Sequence, residues 1–558
     1  MKLFYLIRKY AFFRFLIFSF VIGGILVSIV FFSGYTLRAG TIAAVSPQVT
    51  VPGERVTIVG KNFGHKSIHS WLMLGNTKVK SDSCIEWTDT KIIFEAPDTL
   101  YEDMLYVVTK NKQGNAVMVV NQAVLPVNSK RAANENLPFI DSLEADSGNV
   151  GDLISIHGKN FGHTRNNSVV VFTGTQNTVY GQNAAKEAML TGSECSESDF
   201  DYEFWSDREL QIRVPDAADT GNVVIITDAG MSNPVAFRLK NKYGTKTYTD
   251  IRTYRLVSEV EISDFLAEAP NTFFLQIPFP QRTETQRTVA VSSVQPEPFV
   301  PAYQGASIYR FYNVDSGSKI QIRQEYSVSR SRVETNVNAS SLRRTEQNNP
   351  LLYAAYTESD DFLPADNPVI KRICRQIIGS ETNPYNKARR IYTFLISEIK
   401  ARESSAADAG RSILTALEKK NGGAYDLALL FCTLARAAGV PAVPTAGLLV
   451  DPQQKAVLHW WAEFYVNGFG WVPVDPALAS AVPFDTGVAD KGRWYFGNLD
   501  AYHIAFSRGY QTQAPMLPNG KTTEKVRSYA FRSIWEEATP NISGYSALWR
   551  LPKITSVY

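Results

Sequence analysis

The sequence predicts a multidomain chain: an N-terminal transmembrane helix, then tandem all-β sandwiches, then an α+β domain. Three observations carry this reading. An uncharged apolar run opens the chain, a Gly- and Phe-containing segment occurs twice, and the hydrophobic period changes from strand-like to helical after Asp366. With 558 residues and roughly 100–200 residues per domain, about three to five folding units are expected. The apolar fraction of 44% and charged fraction of 20% supply core material and argue against disorder. A formal charge of +3 from scattered Lys and Arg leaves no basic face, so nucleic acid is excluded as a partner. The four cysteines, Cys84, Cys195, Cys374 and Cys432, show neither CxxC spacing nor a disulfide framework.

Residues 1–14 carry Lys2, Arg8, Lys9 and Arg14, and residues 15–35 follow without a charge. About 20 apolar residues span a bilayer, whereas a signal-peptide core is usually about 7–15. The run is therefore read as an uncleaved anchor, with the basic flank inside and the bulk of the chain extracytoplasmic. A removed signal peptide, cut near Ala39-Gly40, is the alternative. Either way the body of the chain is exported to the cell envelope.

Residues 41–128 and 138–241 form the repeat. Val51-Pro-Gly-Glu-Arg-Val-Thr-Ile-Val-Gly-Lys-Asn-Phe-Gly-His65 matches Asn149-Val-Gly-Asp-Leu-Ile-Ser-Ile-His-Gly-Lys-Asn-Phe-Gly-His163, and Trp87-Thr-Asp matches Trp205-Ser-Asp. The wider spacing in the second copy implies an insertion, placed in a polar surface loop that includes Ser193–Asp201. Alternation at Val56, Ile58 and at Ile154, Ile156 predicts half-buried strands. The strand followed by Gly-x-x-Phe-Gly, at Gly60–Gly64 and Gly158–Gly162, resembles the IPT/TIG family of immunoglobulin-like β-sandwiches. That resemblance implies spacers or binding surfaces, with glycines in positive-φ turns and Phe63 and Phe161 capping the core. His65 and His163 recur in the repeat, but neither has a convincing second ligand in its module, so no metal site is expected. Linkers are placed at Asn134–Pro138 and Lys240–Thr247.

Residues 248–345 alternate apolar and polar positions, as in Ile320-Gln-Ile-Arg-Gln-Glu-Tyr-Ser-Val328, and predict a third β-sandwich. Across 366–485, Val369, Ile373 and Ile377, then Ile391, Phe394, Leu395 and Ile399, recur at helical spacing. A further helix opens after Asn421-Gly-Gly423 and stops at Gly439, with Pro441 beyond. One strand then holds His459-Trp-Trp-Ala-Glu-Phe-Tyr465. Asn467-Gly468 supplies a turn, and Gly470-Trp-Val-Pro-Val-Asp-Pro476 forms the next strand.

Helix, strand with His, strand with Asp is similar to the transglutaminase-like superfamily, with Leu434–Pro441, His459–Tyr465 and Gly470–Pro476 on its three motif blocks. The resemblance implies a cysteine at the helix opening, where the helix dipole and an imidazolium lower a thiol's pKa. His459 would move the proton and Asp475 would orient the ring. Setting Gly422 and Ala428 on the Gly-x-Cys-x-x-x-Ala pattern places Ala424 on the cysteine. A methyl group cannot attack an acyl carbon, so cysteine-dependent acyl transfer is expected to be absent.

Cys432 lies about 12 Å further up the helix and reads as core. Tyr425 and Asp426 are nearer but chemically poor nucleophiles. His459 and Asp475 are then either a vestigial catalytic pair or a hydrogen-bonded pair that steadies the hairpin. Trp460, Trp461 and Trp471 are candidates for lining a cleft for a peptide, protein or glycan of the envelope, against the reading that they are core. Residues 486–558 are read as a C-terminal extension of the same domain, and His503 with Asp500 as structural. No cofactor is expected. The leading expectation is a binding or assembly protein; the alternatives are an active peptidase, acyltransferase or hydrolase with a non-standard nucleophile, and a structural stalk.

Overall fold

The structure, a computed structural model, describes residues 39–558 apart from short segments, of which 122–135, 175–183 and 404–411 are the longest. The expected anchor at 15–35 lies outside the described residues. Among the described residues no helix is long and apolar enough to cross a membrane.

Each repeat is a sandwich of two sheets. In the first copy Arg55–Lys61 lies between Thr41–Ser46 and Lys91–Glu95, and in the second Leu153–Lys159 lies between Phe139–Leu143 and Glu209–Arg213. Val56, Ile58, Ile154 and Ile156 all point into the cores. The two glycines of the shared motif have different physical reasons. Gly64 and Gly162 take positive φ, +64° and +89°. A Cβ on Gly60 or Gly158 would instead meet a carbonyl oxygen of the neighbouring strand at 2.1 or 2.0 Å. The Trp-x-Asp match closes the same turn: Trp87 Nε1 donates to Phe63 O and Trp205 Nε1 to Phe161 O, each at 3.2 Å. Gly64 N and Gly162 N donate to the Asp89 and Asp207 carboxylates.

The insertion in the second copy departs from expectation. It contains a helix, Ala184–Thr191, followed by the short strand Ser193–Glu194 paired with Val169–Gly174, and Cys195 sits in the core. The stretch after it is no free surface loop, because it docks on the C-terminal domain. Ser198 O accepts from Tyr356 Oη at 2.7 Å, Asp199 O from Asn349 Nδ2 at 2.9 Å, and the Asp199 carboxylate binds Arg508 at 3.0 Å.

The middle domain is a sandwich, as the alternation predicts, but its boundaries differ. Strand β1 (Gly244–Ala267) begins inside the expected linker and pairs antiparallel with β2 (Ile320–Val337). The end of the chain also returns here: Ile542–Trp549 and Lys553–Val557 pair with β1, and Glu536–Ala538 pairs with Thr272–Pro278. The C-terminal stretch is therefore divided between two domains, and is not wholly an extension of the last one.

In the α+β domain, helices α1 (Pro368–Ile378) and α2 (Pro384–Glu398) start where Asn367 and Asn383 side chains cap the first turn and Pro fills the first helical position. Helix α3 (Ala424–Ala437) is buried along nearly its whole length. Gly439 ends it with φ +75°. Strands β3 (Ala442–Val450), β4 (Ala456–Val466) and β5 (Gly470–Val474) follow, then the short helix α4 (Pro476–Ala479) and strand β6 (His503–Arg508). Their sheet order is β5-β4-β3-β6. Trp460, Ala462, Phe464 and Val466 of β4 share one core with α3, so the intervening residues face the other side of the sheet.

Candidate functional site

His459 lies on β4 opposite Gly447 of β3, where a Cβ would collide with Ile504 O at 1.9 Å. The absent side chain lets β6 close against β3 and brings His503, paired with Leu449, beside His459. The two rings stand 5.4 Å apart, edge to face. Asp475 caps α4: its Oδ1 accepts from Ala477 N at 3.0 Å and Leu478 N at 2.9 Å. Its Oδ2 contacts both histidines, His459 Nε2 at 2.6 Å and His503 Nε2 at 3.1 Å. His503 Nδ1 reaches Asp500 Oδ1 at 2.8 Å, and Tyr495 Oη donates to Asp500 Oδ2 at 2.6 Å. One buried chain thus runs Tyr495, Asp500, His503, Asp475, His459.

Proton positions follow from the partners. An ionised carboxylate only accepts, so His503, which faces a carboxylate at each nitrogen, donates from both and is an imidazolium. Burial alone would lower its pKa, but Asp500 and Asp475 outweigh it and raise it. Burial would likewise raise Asp475, yet attraction to His459 and hydrogen bonds from both rings hold it below the usual carboxylate range. Asp500 is lowered too: burial opposes, and His503 and Tyr495 prevail. His459 donates from Nε2 to Asp475. Its Nδ1 has no hydrogen-bond partner among the described residues and, in the neutral ring, is the nitrogen able to take a proton.

His459, Asp475 and His503 are also the group whose ligand atoms converge closely enough to suggest a metal, all within 4.8 Å. Tetrahedral ligands at about 2.0–2.1 Å from a zinc ion stand roughly 3.3 Å apart. The 2.6 Å between His459 and Asp475 is a charge-assisted hydrogen bond instead. His65 and His163 are exposed and stand outside that group.

The helix side is of another kind. Ala424 opens α3 as an apolar residue of the helix core. Gly422 has no room for a Cβ, which would meet Asp426 Cβ at 2.8 Å. Both Asp426 oxygens are engaged, Oδ2 by Gly423 N at 3.0 Å and Oδ1 by Arg527 at 2.9 Å. Burial pushes the Tyr425 phenol up to about 12. Cys432 is fully buried, and desolvation raises its thiol, as it does those of Cys84, Cys195 and Cys374. No thiol here is prepared as a thiolate.

The three tryptophans do not line a common groove. Trp460 is 2% exposed and meets Tyr425 edge-on at 5.6 Å on the helix side. Trp461 is buried on the opposite face, with its ring 5.0 Å from that of His503. Trp471 packs beneath Arg508 at 4.2 Å, at the junction with the second repeat. Trp460 and Trp461 are core residues, because adjacent positions on a strand buried on both faces enter two different cores.

Residues 371–476 match the transglutaminase-like superfamily, and 41–123 and 138–239 match the IPT/TIG domain. The chain carries a transglutaminase-like domain behind two IPT/TIG domains. An uncharacterized protein of Haemophilus influenzae is 30% identical over 184 residues, covering 27% of this chain and 49% of that protein. The chain thus spans about half the length of this relative. Among solved structures, a candidate cysteine protease from Cytophaga hutchinsonii aligns at 13% identity with a TM-score of 0.35, covering 56% of this chain and 91% of that one. A candidate protease from Parabacteroides distasonis aligns at 13% identity with a TM-score of 0.18, covering 58% and 66%.

In the transglutaminase-like domain the structure joins His459 to Asp475, as the motif order implies. It adds Asp500 and His503, which the sequence reading left as structural, and Tyr495, which it did not single out. Their signal was present: a carboxylate three residues before a histidine in an otherwise apolar stretch, Asp500-Ala-Tyr-His-Ile-Ala-Phe506.

Proposed function

We propose that this is an extracytoplasmic, membrane-anchored transglutaminase-like protein that works in binding or envelope assembly without cysteine-dependent acyl transfer. The observation that carries the reading is Ala424 at the helix opening, with every cysteine half-buried or buried and its thiol raised. Loss of a triad nucleophile removes about a millionfold in turnover. The anchor rests on the uncharged run at 15–35 and its basic flank.

A second reading, water-based hydrolysis driven by His459, is favoured by one feature: its Nδ1 has no hydrogen-bond partner among the described residues while Asp475 fixes the ring. A thiol-reactive probe and an amidase assay separate the two. The parent is expected to show neither rapid labelling nor turnover, and Ala424→Cys to gain pH-dependent labelling that His459→Ala removes. Turnover by the parent that His459→Ala abolishes would establish the hydrolase.

A further inference from the structure

Where the second IPT/TIG domain, the middle sandwich and the transglutaminase-like domain meet, they line a partly open cavity of about 420 Å³. That is within the usual size of small-ligand sites. Its wall is unusually charged, and nearly every cation there is matched. Arg508 is held between Asp199 at 3.0 Å and Glu463 at 2.8 Å. Lys246 pairs with Asp216, Arg287 with Glu284 at 3.3 Å, Arg282 with Glu194 at 3.6 Å, and Arg165 with Glu197.

Arg330, on β2, is the exception. It is 2% exposed and lines the same cavity, yet among the described residues it has no carboxylate partner. One nitrogen reaches Thr283 Oγ1 at 3.4 Å, and its Nε has no partner at all. Glu463 and Asp500 act on Arg330 only at a distance, without a direct bond; a buried guanidinium that no carboxylate touches is costly, and its planar fork suits two oxygens of one anion.

We infer that this junction cavity is a binding site for a small anionic ligand, whose carboxylate or phosphate pairs with Arg330. The walls favour a compact ligand with polar groups over an apolar one, since ion pairs surround the anchor. Trp471 also lines the cavity and offers an optical report of occupancy. The inference deepens the binding reading above but uses none of the His459–Asp475 residues, so the two fail separately: the labelling of Ala424→Cys is silent on it.

The test uses the full chain with inorganic phosphate and succinate as probes, each against sodium chloride at matched ionic strength. Saturable quenching or enhancement of tryptophan fluorescence, with a rise in melting temperature, is expected for at least one anion. Arg330→Met is expected to weaken that binding at least tenfold and, having lost an unpaired buried charge, to melt no lower than the parent. Arg330→Lys keeps a charge without the fork and is expected to weaken it several-fold, which keeps the test decisive should Arg330→Met not fold. Absence of saturable binding by either anion, or equal binding by the parent and either folded variant, would overturn the assignment. A phosphate preference would point to a phosphoryl group and a succinate preference to a carboxylate.

Discussion

The two sides of the transglutaminase-like site are built very differently. On the strand side a buried chain of Tyr495, Asp500, His503, Asp475 and His459 satisfies nearly every polar atom, with Asp475 accepting four hydrogen bonds. On the helix side the position expected to hold a thiol is a methyl in an apolar core. The energetic stakes on the two sides differ. A cysteine at a helix opening can become alanine at little energetic cost, whereas removing one member of a buried charged network leaves the others unpaired. A buried His–Asp pair is therefore weak evidence for catalysis, because removing either partner would leave the other buried and unpaired.

That comparison breaks most directly at Asp475. Asp475→Ala strips both histidines of their shared carboxylate and uncaps α4, and is expected to cost about 3–5 kcal/mol in urea unfolding. A loss below roughly 1 kcal/mol would show that the network is not structural. Asp500→Asn leaves His503 one carboxylate and is expected to cost less, about 1–3 kcal/mol.

Acid and base sharpen the contrast. Asp475 and Asp500 are depressed in the fold, so their contribution is complete above the ordinary carboxylate range and lost as pH falls through their folded values. His503 is raised, so its contribution is complete below the ordinary imidazole range and lost as pH rises through its folded value. The stability gap between the parent and His503→Gln is expected to narrow on alkalinisation. Glu284, in the junction cavity, behaves oppositely: burial outweighs Arg287 and raises it from 4.5 to about 7. The fold then holds its proton more tightly than the unfolded chain, so stability falls as pH rises between those values. The melting temperature is expected to drop by roughly a few degrees across that window, and less in Glu284→Gln.

The smallest effect is expected on the helix side. Ala424→Cys should change stability by less than about 1 kcal/mol, since it adds one sulfur at a barely exposed helix opening. Urea denaturation measures this, and a larger loss would show that the core leaves no room for a sulfur at that position.

Much of this protein is local and was readable from the sequence. Gly-x-x-Phe-Gly and Trp-x-Asp specify the same turn twice, because positive φ, close strand approach and indole hydrogen bonds act within a module. Helical and strand periods located α1 to α3 and the His459 hairpin, and the resemblance to the transglutaminase-like pattern, with Gly422 and Ala428 set on it, singled out Ala424. Tertiary structure decided what joins residues far apart. It brought His503 to Asp475, returned Ile542–Trp549 to β1, and docked the insertion around Asp199 on Arg508. It also left Arg330 at the junction with no directly bonded carboxylate among the described residues. Periodicity sets which face a residue takes, but only strand order and domain closure set which distant charge it meets.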